Sequence, residues 1–260
     1  MSLLDELISK RSIRTLTAML IACVTIPAVA VVLLLGLHLY WDKQAEVDEQ
    51  SMELARVSAM HHQEVVLRAQ SLLETIADLP ALKGQDASEL NAFFRKVVAH
   101  NPQYVTLTFV RPDGFLYASS TSLDASINYS DRDNFQLAIS QRRFVVGQAT
   151  QSRLMNRPII PFAAPVIDST GVVTGVLQVT LNLDEYESFF SALRVASGTR
   201  FTFIDSQGTR LFRYPDRDIS PVGERISPQV WDAISGISEN SKTFRIIDQT
   251  GQPITYSYIR

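Results

Sequence analysis

Cysteine is nearly absent: Cys23 is the one thiol in 260 residues. That excludes an intrachain disulfide framework and any zinc site built on several thiolates. An excess of positive charge is missing as well. Lys plus Arg number 24 against 27 Asp plus Glu, for a net charge of −3. A nucleic-acid partner would want a basic face, so none is expected. The chain also has no P-loop, GxGxxG, HExxH or GxSxG, the short motifs that most directly carry chemistry. Two Asp-Arg-Asp triplets, 131–133 and 216–218, mix charges of both signs. That suits an ion-paired loop better than two carboxylates poised for acid–base work. His61-His62 is a tempting metal pair, but adjacent helical residues point in different directions. The expectation is no catalytic residue, no metal, no cofactor and no enzyme within these residues.

Two further absences shape the first third. From Thr15 to Trp41 there is no Asp, Glu, Lys or Arg, a run of about 27 residues where a membrane-spanning helix needs ~20. Pro27 falls inside it, which a membrane helix tolerates, and Tyr40-Trp41 close it as interfacial aromatics do. Lys10, Arg11 and Arg14 precede the run, while Asp42, Glu46, Asp48 and Glu49 outnumber Lys43 after it. The positive-inside rule then places 1–14 in the cytoplasm, 15–41 in the membrane, and everything after 41 outside the cytoplasm. A cleaved signal peptide is the competing reading, but its apolar core is shorter, roughly 7–15 residues. His38 and Cys23 within the run read as helix-packing residues.

The second absence is of helix breakers. No Gly or Pro occurs between Trp41 and Pro80. Val47, Ser51, Leu54, Val57, His61, Val65, Ala69, Leu72, Ile76 and Leu79 recur near the 3.6 period of one helical face. A long helix over 42–80 follows, able to cover a sheet and to meet a twin helix at once.

Beyond it, one plan occurs twice. Tyr104–Val110, Arg111-Pro112-Asp113-Gly114 and Phe115–Ser119 read as strand, turn, strand, as do Arg200–Ile204, Asp205-Ser206-Gln207-Gly208 and Thr209–Arg213. A helical segment follows each, Asn134–Gln141 and Pro228–Ile234. A second turn then comes, Ile167-Asp168-Ser169-Thr170-Gly171 against Ile247-Asp248-Gln249-Thr250-Gly251. In the first copy Phe144–Val146, Ile159–Val166 and Val172–Val179 supply strands rich in β-branched residues. Another short helix is expected over Ala87–His100, ended by Asn101-Pro102.

Asp131-Arg132 with Phe135, then Pro158, Ala164-Pro165-Val166, Gly171 and Gly175-Val176-Leu177 together resemble the Cache family of extracytoplasmic sensor domains. The resemblance covers roughly Asp42 to Arg260. It implies an α+β fold: a transmembrane helix, a long N-terminal helix, then two tandem PAS-like antiparallel sheets with flanking helices. The implied parts are a membrane-distal subdomain over 81–190 and a membrane-proximal one over 191–260, the second incomplete. It further implies a bacterial inner-membrane receptor whose residues after 41 face the periplasm and act as a homodimeric small-molecule sensor, with an output domain of histidine kinase, diguanylate cyclase or chemoreceptor type beyond this stretch. The alternative is a membrane-anchored dimerisation or protein-interaction module with no small-molecule ligand.

By the same resemblance the ligand pocket lies in the distal copy, around Asp131–Phe135 and the facing strands. Arg132 is the leading candidate, because a guanidinium fork matches a carboxylate. The other reading pairs Arg132 with Asp131 or Asp133. Tyr129 and Phe135 are candidate walls; Tyr117 and Ser119, placed on one face by period-two alternation, and Gln148 and Thr180 complete the set. The family's amino-acid-sensing branch carries Arg-x-Trp-Tyr in this loop, where Arg132 is here followed by Asp133-Asn134-Phe135. That branch also has an Asp where Thr180 stands. With no such carboxylate to hold an ammonium, a small carboxylate or other polar metabolite is expected in preference to an amino acid.

Overall fold

The structure is a computed structural model and describes residues 13–79, 82, 86–121, 126–148, 150–155, 158–215, 223–248 and 250–260. The triplet 216–218 and the basic residues Lys10 and Arg11 lie outside them. Helix α1 (Ile13–Ala77) runs without a break through Pro27. From Met19 to Trp41 its large apolar side chains face outward and are exposed. Among the described residues it is the one helix long and apolar enough to cross a membrane. Its later part turns amphipathic: Ser58, Val65, Ala69, Leu73 and Ile76 are buried, a 3.6-period stripe. Val65, Ala69 and Ile76 lie on the expected face, while Leu73 rather than Leu72 is the buried leucine of its turn.

Two compact units divide the chain, one holding α1 up to Leu54 with Ser241–Tyr258, the other Ala55–Asn240. In the larger unit α2 (Ala87–Ala99) buries Leu90 and Phe94. Strands β1 (Tyr104–Val110), β2 (Leu116–Ser119), β3 (Val145–Val146), β6 (Pro161–Ile167) and β7 (Val173–Leu181) form an antiparallel sheet in the order β2-β1-β7-β6-β3. Helix α2 packs against β1 and β2, while α3 (Asp133–Gln141) packs against β3, β6 and β7. On the α3 side Val110, Leu116, Val145, Ala163 and Val176 close over Phe135 and Ala138. With layers on both faces, the central strands are buried almost throughout, which is why they read as near-continuous apolar runs.

The stretch expected as one strand over Ile159–Val166 is two. β5 (Pro158–Ile159) leaves the sheet to pair with β4 (Thr150–Gln151), and β6 starts afresh at Pro161. Helix α4 (Leu183–Ala192) leads to the hairpin β8 (Phe201–Ile204) and β9 (Arg210–Tyr214), then to α5 (Pro228–Ser235), capped by Ser227. Here Phe190 is fully buried among Phe189, Phe201, Phe203, Phe212 and Tyr214. His61 stacks on Phe189 at 3.6 Å and His62 tilts on Phe203 at 5.0 Å, so both histidines are wedged among aromatic rings.

In the smaller unit β10 (Ser241–Ile247) and β11 (Pro253–Ile259) form a hairpin. Arg245 Nη2 ties it to α1, donating to Asp48 Oδ1 at 2.5 Å. The repeated turns are alike at atomic level. Asp168 Oδ1 accepts from the Thr170 N–H and hydroxyl and the Val172 N–H at 2.8, 2.7 and 3.0 Å. Asp248 Oδ1 does the same with Thr250 and Gln252 at 2.8, 2.7 and 2.9 Å. Gly171 and Gly251 then take φ of +83° and +80°, a conformation open to glycine at little cost. The two copies differ in their sheets: the first makes five strands into one ladder, while β8–β9 and β10–β11 are separate two-stranded ladders.

Candidate ligand-binding site

The α3 side of the main sheet changes character along its length. Period-two alternation puts Thr106 and Thr108 of β1 on one face, opposite Thr180 and Gln178 of β7 in register. All four are buried polar residues at the middle of the sheet. Thr106 Oγ1 donates to Thr180 Oγ1 at 3.0 Å. Over this floor lie Asn134 from the first turn of α3, Thr150 and Ile159 from β4–β5, and Tyr129, Arg132, Ser152, Arg153 and Leu154. They enclose a cavity of about 20 Å³, room for about one water, which needs roughly 10–15 Å³.

Every charged side chain among the described lining residues is an arginine. The Arg132 backbone caps α3, and its Nη1 donates to Thr150 Oγ1, fastening the β4–β5 hairpin to the helix start. Burial, then the like charge of Arg153, depresses its guanidinium pKa. Arg153 donates to the Asn128 carbonyl and, at 2.6 Å, to Asp131 Oδ2. It also lies over the Tyr129 ring at 5.8 Å. The hydrogen bond from Arg153 holds the exposed Asp131 carboxyl below the usual carboxylate range. Burial pushes the Tyr129 phenol up, against the pull of both arginines. The mixed-charge loop is thus ion-paired as its composition suggested, with Arg153 as the partner of Asp131. Two side-chain amides stand out: Asn134 Nδ2 and Gln178 Nε2 are buried with no hydrogen-bond partner.

Of the residues singled out from sequence, the structure brings Arg132, Tyr129 and Thr180 to this cavity. Phe135 sits in the adjoining apolar core, 3% exposed. Gln148 is solvent-exposed, outside the lining. Tyr117 and Ser119 do not share a face, a correction with a local cause. Phe109 pairs with Ala118 but Val110 with Leu116, so Tyr117 is the extra residue of a bulge. Its ring meets Phe109 edge-on, while the fully buried Ser119 hydroxyl bonds Thr121. Sequence reasoning missed Thr106, Thr108, Asn134, Thr150, Ser152, Arg153 and Gln178. The available signal was polar residues at every second position of strands otherwise built to be buried.

A larger open groove of about 410 Å³ lies along α1 at Glu64, Leu67 and Arg68 and reaches Gln103 and Tyr104. Its two charges are bonded to each other at 2.5 Å, whereas the smaller cavity gathers buried polar groups from several elements. The smaller cavity is the candidate site.

The family model for the Cache domain matches residues 42–260. The chain belongs to the Cache domain family. Similar solved structures are the extracellular domain of a histidine kinase and the ligand-binding domain of a chemoreceptor. The extracellular domain of the putative histidine kinase rpHK1S-Z16 superposes with a TM-score of 0.72 at 15% identity, covering 84% of this chain and 96% of that one. The ligand-binding domain of the Pseudomonas fluorescens chemoreceptor CtaA, solved with L-serine, gives 0.60 at 17% identity over 78% and 86%. At these identities the likeness is one of fold. Sporulation kinase D of Bacillus subtilis (strain 168) is 26% identical over 125 residues, 46% of this chain. The match spans 25% of that kinase's length.

Proposed function

We propose that this Cache chain is the extracytoplasmic sensor region of a transmembrane receptor and binds a small carboxylate in its membrane-distal subdomain, 81–190. The observation that carries the proposal is the composition of the cavity. Two guanidinium groups and two unpaired amide nitrogens converge on it, and no Asp or Glu stands among its described lining residues. Guanidinium and amide donors recognise an anion, and with no carboxylate beside them an ammonium has no counter-ion. CtaA holds L-serine, an amino acid; the site here has Thr180 tied to Thr106 and Gln178 beside it, which favours a carboxylate without an α-amino group.

In this reading the ligand parts the β4–β5 hairpin from α3 and takes the place of the Arg132–Thr150 hydrogen bond, since the closed cavity holds about one water. The movement passes through the membrane-proximal residues 191–260 and α1, biasing a homodimer between two signalling states. The N-terminus is cytoplasmic, and an output domain of kinase, cyclase or chemoreceptor type acts on that side. A second reading, an anchored interaction module with a self-filled sheet, draws on the cavity's small volume. Against it stand the unpaired amides, which a self-filled interior would pair or replace.

A thermal-shift screen of residues 1–260 in detergent micelles, using short carboxylates, amines, sugars and amino acids, tests this. A carboxylate that raises the midpoint in wild type but not in Arg132→Ala is the expected result. Shifts with amino acids alone would overturn the ligand class. No shift across the panel, with a cooperative melt, would favour the interaction module.

A further inference from the structure

Asn134 and Gln178 are each 5% exposed, and each has an amide nitrogen with no hydrogen-bond partner. Buried polar groups are paired in the great majority of cases, so each exception asks for a cause. These two come from different elements, the first turn of α3 and the central strand β7, yet both line one cavity. Their neighbours on that face are paired. Thr106 bonds Thr180 through their hydroxyls, and the Ser152 hydroxyl accepts from the Leu154 and Met155 N–H groups. The unpaired donors on this face are therefore the two amides.

Resting on the carboxylate reading above, we infer that the ligand carries a second acceptor oxygen that seats on Gln178 and Asn134. A carbonyl, hydroxyl or second carboxylate oxygen has lone pairs enough to take an N–H from each amide. Arg132 and Arg153 meet the first carboxylate. Once the hairpin has parted, Tyr129, Leu154, Ile159 and Pro161 offer apolar surface for the short carbon chain between the two polar ends. The site thus takes an oxygenated short acid in preference to the alkyl monocarboxylate of matching length. Gln178 is the residue that sets this preference, because β7 holds it rigidly between β1 and β6. Two amide hydrogen bonds separate the two ligand kinds, a preference of about tenfold or more.

Calorimetric titration of the full 260-residue chain in micelles tests this with matched probes: propionate against 2-hydroxypropionate and 2-oxopropionate, and butyrate against succinate. In wild type at least one oxygenated acid binds about tenfold tighter than its alkyl match, and Gln178→Leu, which leaves only the Asn134 amide, cuts that ratio several-fold. Gln178→Met, which also lacks the donor, repeats the measurement should the leucine variant misfold. Equal binding of matched acids to wild type would overturn the inference and leave the carboxylate reading standing. So would a ratio that survives both substitutions. If no carboxylate binds to folded wild type, the carboxylate reading falls and this inference with it.

Discussion

Replacing Gln178 with leucine should make the unliganded protein more stable. The reasoning is local. Gln178 is 5% exposed and its Nε2 is unpaired, and a buried donor without a partner costs about 1–3 kcal/mol. Leucine fills a similar volume with no polar atom, and the backbone ladder with β1 and β6 is untouched. The gain is therefore about 1–3 kcal/mol, or roughly 2–12 °C in melting midpoint for a unit of this size. Thr180→Val, two residues along the same face, is the control of opposite sign. It removes the acceptor of the Thr106 hydroxyl and should cost about 1–3 kcal/mol by the same rule. Melting of the ligand-free chain can be followed by tryptophan fluorescence, since Trp231 lies against Gly208 inside the larger unit. A Gln178→Leu midpoint below wild type would refute the reasoning, because it would mean that the amide is paired in solution.

Further consequences follow from the titrating and aromatic groups. Asp131 is held below the usual carboxylate range by Arg153, so its contribution is present above the unfolded value near ~3.9 and is lost as pH falls through the lower folded value. Asp131→Asn should remove that acid-side loss. At neutral pH it should change stability by no more than about 1 kcal/mol, an effect screened at high salt, as an exposed pair requires. His62 is lowered by burial and then by His61. Its neutral form is favoured in the fold, so stability declines as pH drops below the unfolded value of ~6.5 and levels off beneath the folded one. Midpoints measured from pH 7.5 to pH 5 should fall less in His62→Phe than in wild type. Phe190→Ala, at the centre of the second aromatic cluster, should cost about 3–5 kcal/mol in denaturant titrations, and Phe190→Leu clearly less.

What the sequence determined by itself was whatever short-range chemistry decides. The Asp168 and Asp248 turns were legible because each Asp bonds groups within four residues and each Gly takes the left-handed backbone. The apolar run was legible because length and charge alone mark it, and α3 because its apolar face recurs at the helical period. Arg132, Tyr129 and Thr180 reached the site through the motif they belong to. The tertiary structure alone decided the rest. Thr106, Thr108 and Gln178 face the cavity only because β1 and β7 pair in one register, and Tyr117 turns away because a single bulge shifts the next. Asp131 chooses Arg153 over its neighbour Arg132 because β4–β5 leaves the sheet and folds back over α3. Such outcomes depend on which residues meet from segments tens of positions apart, and local propensity carries no record of that meeting.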